Sequence, residues 1–203
     1  MRRIKTFGIE LEGGVYYHGT QERVNLCEVL GLNASNNFHL TLPGVAAVGT
    51  DNGYNELEFS IEPCGSLSEL EDKVTACVAW LRPDWEVYWT GQDPFVAAGK
   101  LSPCPWAPKP RYGAIREVVA RESGYPNTGQ CMDWMSQFWA YQIHLAVDPV
   151  SVEGMLLRNY LDNWGPHIAR SACEIVGSTS SQRIERAWIN WGDSRRLPAY
   201  RWF

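Results

Sequence analysis

Two stretches of this chain alternate apolar and acidic residues. From Thr6 to Glu12, Phe7, Ile9 and Leu11 alternate with Gly8, Glu10 and Glu12. From Tyr54 to Glu62, Leu57, Phe59 and Ile61 alternate with Glu56, Glu58, Ser60 and Glu62. A period of two belongs to a β-strand, whose successive side chains point to opposite faces, so each stretch sends apolar groups one way and carboxylates the other. A third stretch, Trp139 to Val147, sets Trp139, Tyr141, Ile143, Leu145 and Val147 on one side and Gln142 and His144 on the other, and Asp148-Pro149 ends it. The fold these stretches predict is a sheet with one face on a core and one polar face. An antiparallel sheet can leave a face in water, so one acidic strand needs no function. Carboxylates are nevertheless disfavoured in strands, and like charges directly opposite destabilise the pairing. Four of them on neighbouring strands call for a compensating cation.

Weaker strands are predicted at 38–42 and 45–48, separated by Pro43-Gly44, and at 86–90. Pro63 to Gly65 ends the second acidic strand. Ser66 with Glu69 then forms a capping-box pattern for a helix carrying Leu67, Leu70, Val74, Val78 and Leu81. Asp93-Pro94 and the series Pro103, Pro105, Pro108, Pro110 predict a long loop. Further helices are predicted over 113–123, from Ser151 through Val152, Met155, Leu156, Tyr160 and Leu161, and from Pro166 to Gly177. The class is α+β: an antiparallel sheet covered by helices on one face, in one domain over 1–203.

Lys and Arg number 18 against 23 Asp and Glu, a net charge of −5, so no basic field is present to hold nucleic acid. The basic start gives way to Gly8, Glu10 and Glu12 before any apolar run, so neither a membrane span nor a signal segment is expected and the chain reads as cytoplasmic. The six cysteines include no Cys-x-x-Cys pair, which argues against a structural zinc and for reduced, buried thiols.

Hard oxygen donors with an amide and an imidazole suit Mg²⁺ or Mn²⁺ better than zinc. Such ions bridge carboxylates to nucleotide phosphates and stabilise charge in phosphoryl transfer. The chain contains neither a Gly-x-x-x-x-Gly-Lys-[Ser/Thr] loop nor a Gly-x-Gly-x-x-Gly turn. Any nucleotide chemistry would therefore have to arise from the acidic strands.

Gly8-Ile9-Glu10-Leu11-Glu12 resembles the opening motif of the glutamate–cysteine ligase family, in its bacterial carboxylate–amine ligase branch. Further resemblances follow in the family's order: Asp51 with Glu58, Pro63-Cys64-Gly65-Ser66-Leu67, Gly91-Gln92-Asp93-Pro94-Phe95, Pro110-Arg111-Tyr112, Tyr141-Gln142-Ile143-His144, Arg186-x-Trp188 and Leu197-Pro198. The resemblance implies a glutamine-synthetase-like curved antiparallel sheet, shortened here and without the family's C-terminal part. It implies ATP and Mg²⁺ (or Mn²⁺) as cofactors. The implied reaction phosphorylates the carboxylate of an amino acid or other small acid, and an amine then displaces phosphate to give an amide. By position Glu10, Glu12, Asp51 and Glu58 would be metal ligands, and strand alternation adds Glu56. Glu12, Gln142 and His144 would contact the nucleotide-bearing cofactor, while Arg111 and Arg186 would offset charge on the transferred phosphoryl group.

The sequence departs from the family at Gln142, where the family has a metal-binding histidine, and in a length little beyond half of the family's. Two alternatives follow: a non-catalytic binding module on the same fold, and a subunit completed by a second chain or a second copy. The aromatic C-terminal pattern Trp188, Trp191, Tyr200, Trp202, Phe203 suits such an interface.

Overall fold

A computed structural model describes residues 6–114, 136, 137, 139, 141–146, 151, 152 and 154–156. Two compact units divide the chain: Thr6–Leu145, and Met1–Lys5 with Ala146–Phe203. All three alternating stretches form strands. These are β1 (Thr6–Tyr17), β4 (Glu56–Ile61) and β6 (Tyr141–Ala146), joined by β2 (His39–Leu42), β3 (Ala46–Thr50) and β5 (Trp85–Tyr88). They make an open antiparallel sheet in the order β2-β3-β4-β1-β5, with β6 also paired to β1.

The register settles which side chains share a face. Leu11 lies opposite Phe59, Gly13 opposite Leu57, Phe59 opposite Val48, and Val15 opposite Val87. Helix α2 (Leu67–Trp80) covers this apolar face with Leu70, Val74, Cys77 and Trp80, the last ring meeting Phe59 edge-on at 5.9 Å. Leu26 of α1 (Leu26–Val29) is fully buried in the same core. The Ser66 hydroxyl caps α2 by accepting the Glu69 N–H at 3.2 Å. The reciprocal arm differs from the expected box, since the Glu69 carboxylate takes the N–H of Gly65 at 2.8 Å. Among the described residues Cys27, Cys64, Cys77 and Cys104 are free thiols, and no helix is long and apolar enough to cross a membrane.

Two expectations are corrected by local packing. The sequence predicts that β1 stops at Gly13-Gly14, yet it runs on to Tyr17, because each glycine makes room for a ring. A Cβ on Gly13 would lie 2.7 Å from the Trp89 ring on the apolar face, and one on Gly14 would lie 2.1 Å from the Trp139 ring on the other. The expected loop after Gly91 holds a helical turn, α3 (Pro94–Ala97), with Pro94 at its first position, where no N–H is needed. Its Phe95 packs on Tyr16 at 4.8 Å and Tyr88 at 5.5 Å. Both tyrosines lie on the polar side, so helical structure covers part of each face, not of one alone.

In the second unit Ser151 opens a helical turn, its hydroxyl accepting the Gly154 N–H and its carbonyl the Met155 N–H, each at 3.0 Å. Val152, Met155 and Leu156, expected to face a core, are exposed. The helix expected over 113–123 begins earlier, at 110, and is described only to 114. The 166–177 helix, Arg186 and the C-terminal aromatics lie outside the described residues.

Candidate functional site

On the polar face of β1, Glu10, Glu12, Gly14 and Tyr16 follow one another. The register continues this face across the sheet: Glu12 is directly opposite Glu58, Glu10 opposite Ser60 and Gly14 opposite Glu56. Gly49 and Ala47 of β3 come next, opposite Glu58 and Ser60, and leave room above the carboxylates. The Gly14–Tyr16 end is roofed by Trp139 and α3. The Glu10 end is more open, with the Glu10 side chain 27% and His144 57% exposed. Four of the expected acidic residues, Glu10, Glu12, Glu56 and Glu58, thus meet on one surface, and Asp51 stands one residue beyond β3.

Each has a defined surrounding. Gln142 donates its amide N–H to Glu12 Oε1 at 2.8 Å, so the nitrogen rather than the oxygen of the amide faces the carboxylate. His144 Nε2 lies 3.4 Å from Glu10 Oε1. Ser60 donates to Glu58 Oε1 at 2.7 Å. Burial raises the Glu58 carboxyl above its usual value; the Ser60 hydroxyl opposes this, and Asp51 and Glu10 add to it. Arg111 Nη2 reaches Asp51 Oδ1 at 2.6 Å, and the Tyr112 hydroxyl donates to the same oxygen at 2.9 Å and to the Asp51 carbonyl.

Glu56 is the most constrained of the set. It is fully buried, its Oε2 accepts the N–H groups of Asn52 at 2.9 Å and Gly53 at 3.0 Å, and its Oε1 has no hydrogen-bond partner. Burial, then Asp51 and Glu12, push its pKa well above the ordinary 4.5, against the pull of the two backbone donors. The unfolded chain releases this proton near the ordinary value while the folded chain keeps it. Stability from this position therefore falls as pH rises from the ordinary carboxylate range to the folded-state pKa, then levels off. Glu56→Gln copies the protonated group and cannot titrate. Its urea unfolding free energy is expected to match or exceed that of the unmodified protein at about pH 8 and to vary less between about pH 5 and about pH 8. An equal loss at both pH values would contradict this.

Sequence reasoning missed Lys109, Tyr112, Asp93 and Trp139 as parts of this surface. Trp139 was expected on the apolar side with Tyr141 and Ile143. It precedes the first residue of β6, so strand alternation does not govern it, and its ring, 4% exposed, packs over Gly14 on the polar side. Tyr141 and Ile143 are 52% and 72% exposed, so the apolar side of β6 is not buried as expected. The Pro-rich segment is pinned rather than loose: Ala107 donates to Asn52 O at 2.8 Å and Tyr54 donates to Pro105 O at 3.1 Å. These bonds set Lys109 and Arg111 beside the start of β4. The Lys-Pro-Arg-Tyr run was a usable signal, since prolines flanking two cations fix where those cations point.

The donor chemistry suits a hard divalent ion, but its placement fits one only in part. Among the described residues, no three His, Cys, Asp or Glu side chains are placed to share one ion. On the β1–β6 half Glu10 and Glu12 offer oxygens beside a neutral-capable imidazole, a set compatible with Mg²⁺. On the β3–β4 half the buried ammonium of Lys109 faces Asp51, Glu58 and Glu56. The chain matches no protein-family model, no curated protein and no solved structure.

Proposed function

We propose that this chain carries the catalytic sheet of an ATP- and Mg²⁺-dependent carboxylate–amine ligase, a shortened relative of the glutamine-synthetase-like fold. The observation that carries the reading is the registered pair Glu12 and Glu58, flanked by Glu10 and Glu56 on the polar face of an antiparallel sheet. Glu10 and Glu12 would hold the ion, which supplies neutralisation of phosphate charge when bound. Arg111, its side chain 56% exposed and oriented by Asp51 and Tyr112, would present its planar fork to the transferred phosphoryl group. Trp139 and α3 would close one end of the surface, so that the acid and the amine approach from the Glu10 end. The chain's own contribution is then positioning and electrostatic stabilisation.

The test is ADP formation with Mg²⁺-ATP and a panel of amino acids and amines. ADP release is expected only when acid and amine are both present, and Glu12→Gln is expected to lower it by about a hundredfold or more. A second reading, a non-catalytic module on the same sheet, is favoured by the protein partners already facing Asp51, Glu10, Glu12 and Glu58. Nucleotide binding without turnover by the isolated chain, by its oligomer or by its complex with a second subunit would favour that module.

A further inference from the structure

We propose that Lys109 is a built-in cation, which occupies the Asp51–Glu56–Glu58 half of the acidic face and confines divalent-ion binding to the Glu10–Glu12 half. The location of the ions rests on the ligase reading; the role of Lys109 does not.

Lys109 is 6% exposed, unusual for a residue that is almost never buried unless paired. Its Nζ donates to the carbonyl of Thr50, the last residue of β3, and lies 5.9 Å from the Tyr112 ring centre. Asp51, Glu58 and Glu56 all act on this ammonium in the direction that keeps it charged, against burial and Arg111. The ammonium therefore meets the three carboxylates that strand alternation and position single out for a metal.

The backbone fixes this arrangement. Lys109 stands between Pro108 and Pro110, its N–H donates to Ala107 O at 2.8 Å, and its carbonyl accepts from Tyr112 at 3.0 Å. Ala107 is in turn tied to Asn52, one residue past Asp51. The lysine side chain and the acidic loop are thus parts of one pinned structure, and a flexible tether does not explain the contact. A second positive charge, on Arg111, is committed to Asp51. Two fixed cations stand on this half. On the β1–β6 half the facing groups are an amide and a neutral-capable imidazole, which leave the charge of Glu10 and Glu12 for an external ion. The like-charge cost of pairing Glu12 with Glu58 is thereby met differently at its two ends.

The experiment uses the full chain and Mn²⁺ alone, without nucleotide, with binding followed by the electron paramagnetic resonance of free Mn²⁺ and stability by thermal melting. Lys109→Met is expected to lower Tm by about 10 °C, because it leaves buried carboxylates uncompensated. Mn²⁺ is expected to restore that loss, with one more ion bound per chain than in the unmodified protein. Adding Glu58→Gln to Lys109→Met should recover part of the Tm without Mn²⁺ and remove the extra ion. Glu58→Gln alone should leave Mn²⁺ binding to the unmodified chain as it was.

Three results would overturn the proposal: loss of Mn²⁺ binding in Glu58→Gln alone, equal Mn²⁺ uptake by Lys109→Met and the unmodified chain, or no recovery in the double variant. Should Lys109→Met fail to fold, folding restored by Mn²⁺ or by Glu58→Gln supports the proposal, and restoration by neither overturns it. Failure of the ligase reading has a separate signature, absence of Mn²⁺-ATP binding that depends on Glu12, and leaves the Lys109 result intact.

Discussion

Replacing Gly14 by alanine is expected to destabilise the Thr6–Leu145 unit by about 3 kcal/mol, a loss of about 10 °C in Tm. The new methyl carbon would lie 2.1 Å and 2.2 Å from Cζ2 and Cη2 of Trp139, distances at which something must move. The backbone of Gly14 has little freedom to yield, since it pairs with Glu56 on one side and Tyr88 on the other. The indole has little freedom either, being 4% exposed, with its backbone N–H bonded to Gly91 O at 3.2 Å. Thermal melting of Gly14→Ala against Gly14→Ala/Trp139→Leu checks the mechanism, because a smaller side chain at 139 should return part of the loss. A Gly14→Ala protein melting with the unmodified chain would show that Trp139 does not pack where described.

Asp93→Ala is expected to cost about 3–5 kcal/mol in urea unfolding, because it leaves a buried cation without its partner. One carboxylate here serves four donors. Its Oδ2 accepts the Tyr16 hydroxyl at 2.5 Å and Arg23 Nη2 at 3.2 Å, and its Oδ1 accepts the N–H groups of Phe95 at 2.9 Å and Val96 at 3.2 Å. The Asp93 side chain is 1% and that of Arg23 10% exposed. Removing the carboxylate therefore uncaps α3, leaves the Tyr16 hydroxyl without its acceptor and leaves Arg23 with the Ser102 carbonyl. Burial, reinforced by Asp93, holds the Tyr16 phenol protonated, which suits its part as donor. Asp93→Asn keeps an acceptor for the cap and loses the charge, so its cost should fall between those of the unmodified protein and Asp93→Ala. Equal stability of Asp93→Ala and the unmodified chain would contradict the pairing.

Where strand alternation governs, the sequence is legible. Phe7, Ile9 and Leu11 predict which face of β1 is apolar, Glu10 and Glu12 predict the other, and the same logic places Glu56 and Glu58 correctly beside them. Alternation fails at the strand ends. Gly13-Gly14 reads as a break because a glycine pair has no side chain to report its environment; the rings that require it, Trp89 and Trp139, come from distant parts of the chain. Trp139 itself lies outside the regular strand, so counting residues back from Gln142 assigns it to the wrong side. Lys109 was overlooked for a related reason. Its burial depends on backbone bonds between 105–107 and 52–54, which no local pattern encodes, whereas Arg111 was noticed for its chemistry alone.

The most direct test is calorimetric titration of the chain with Mg²⁺-ATP, alongside Glu12→Gln. Saturable binding that requires Mg²⁺ and is lost in Glu12→Gln is the predicted result. A chain that binds no nucleotide, or that binds it equally well without the Glu12 charge, would contradict the assignment of this acidic face as the seat of ATP-driven amide synthesis.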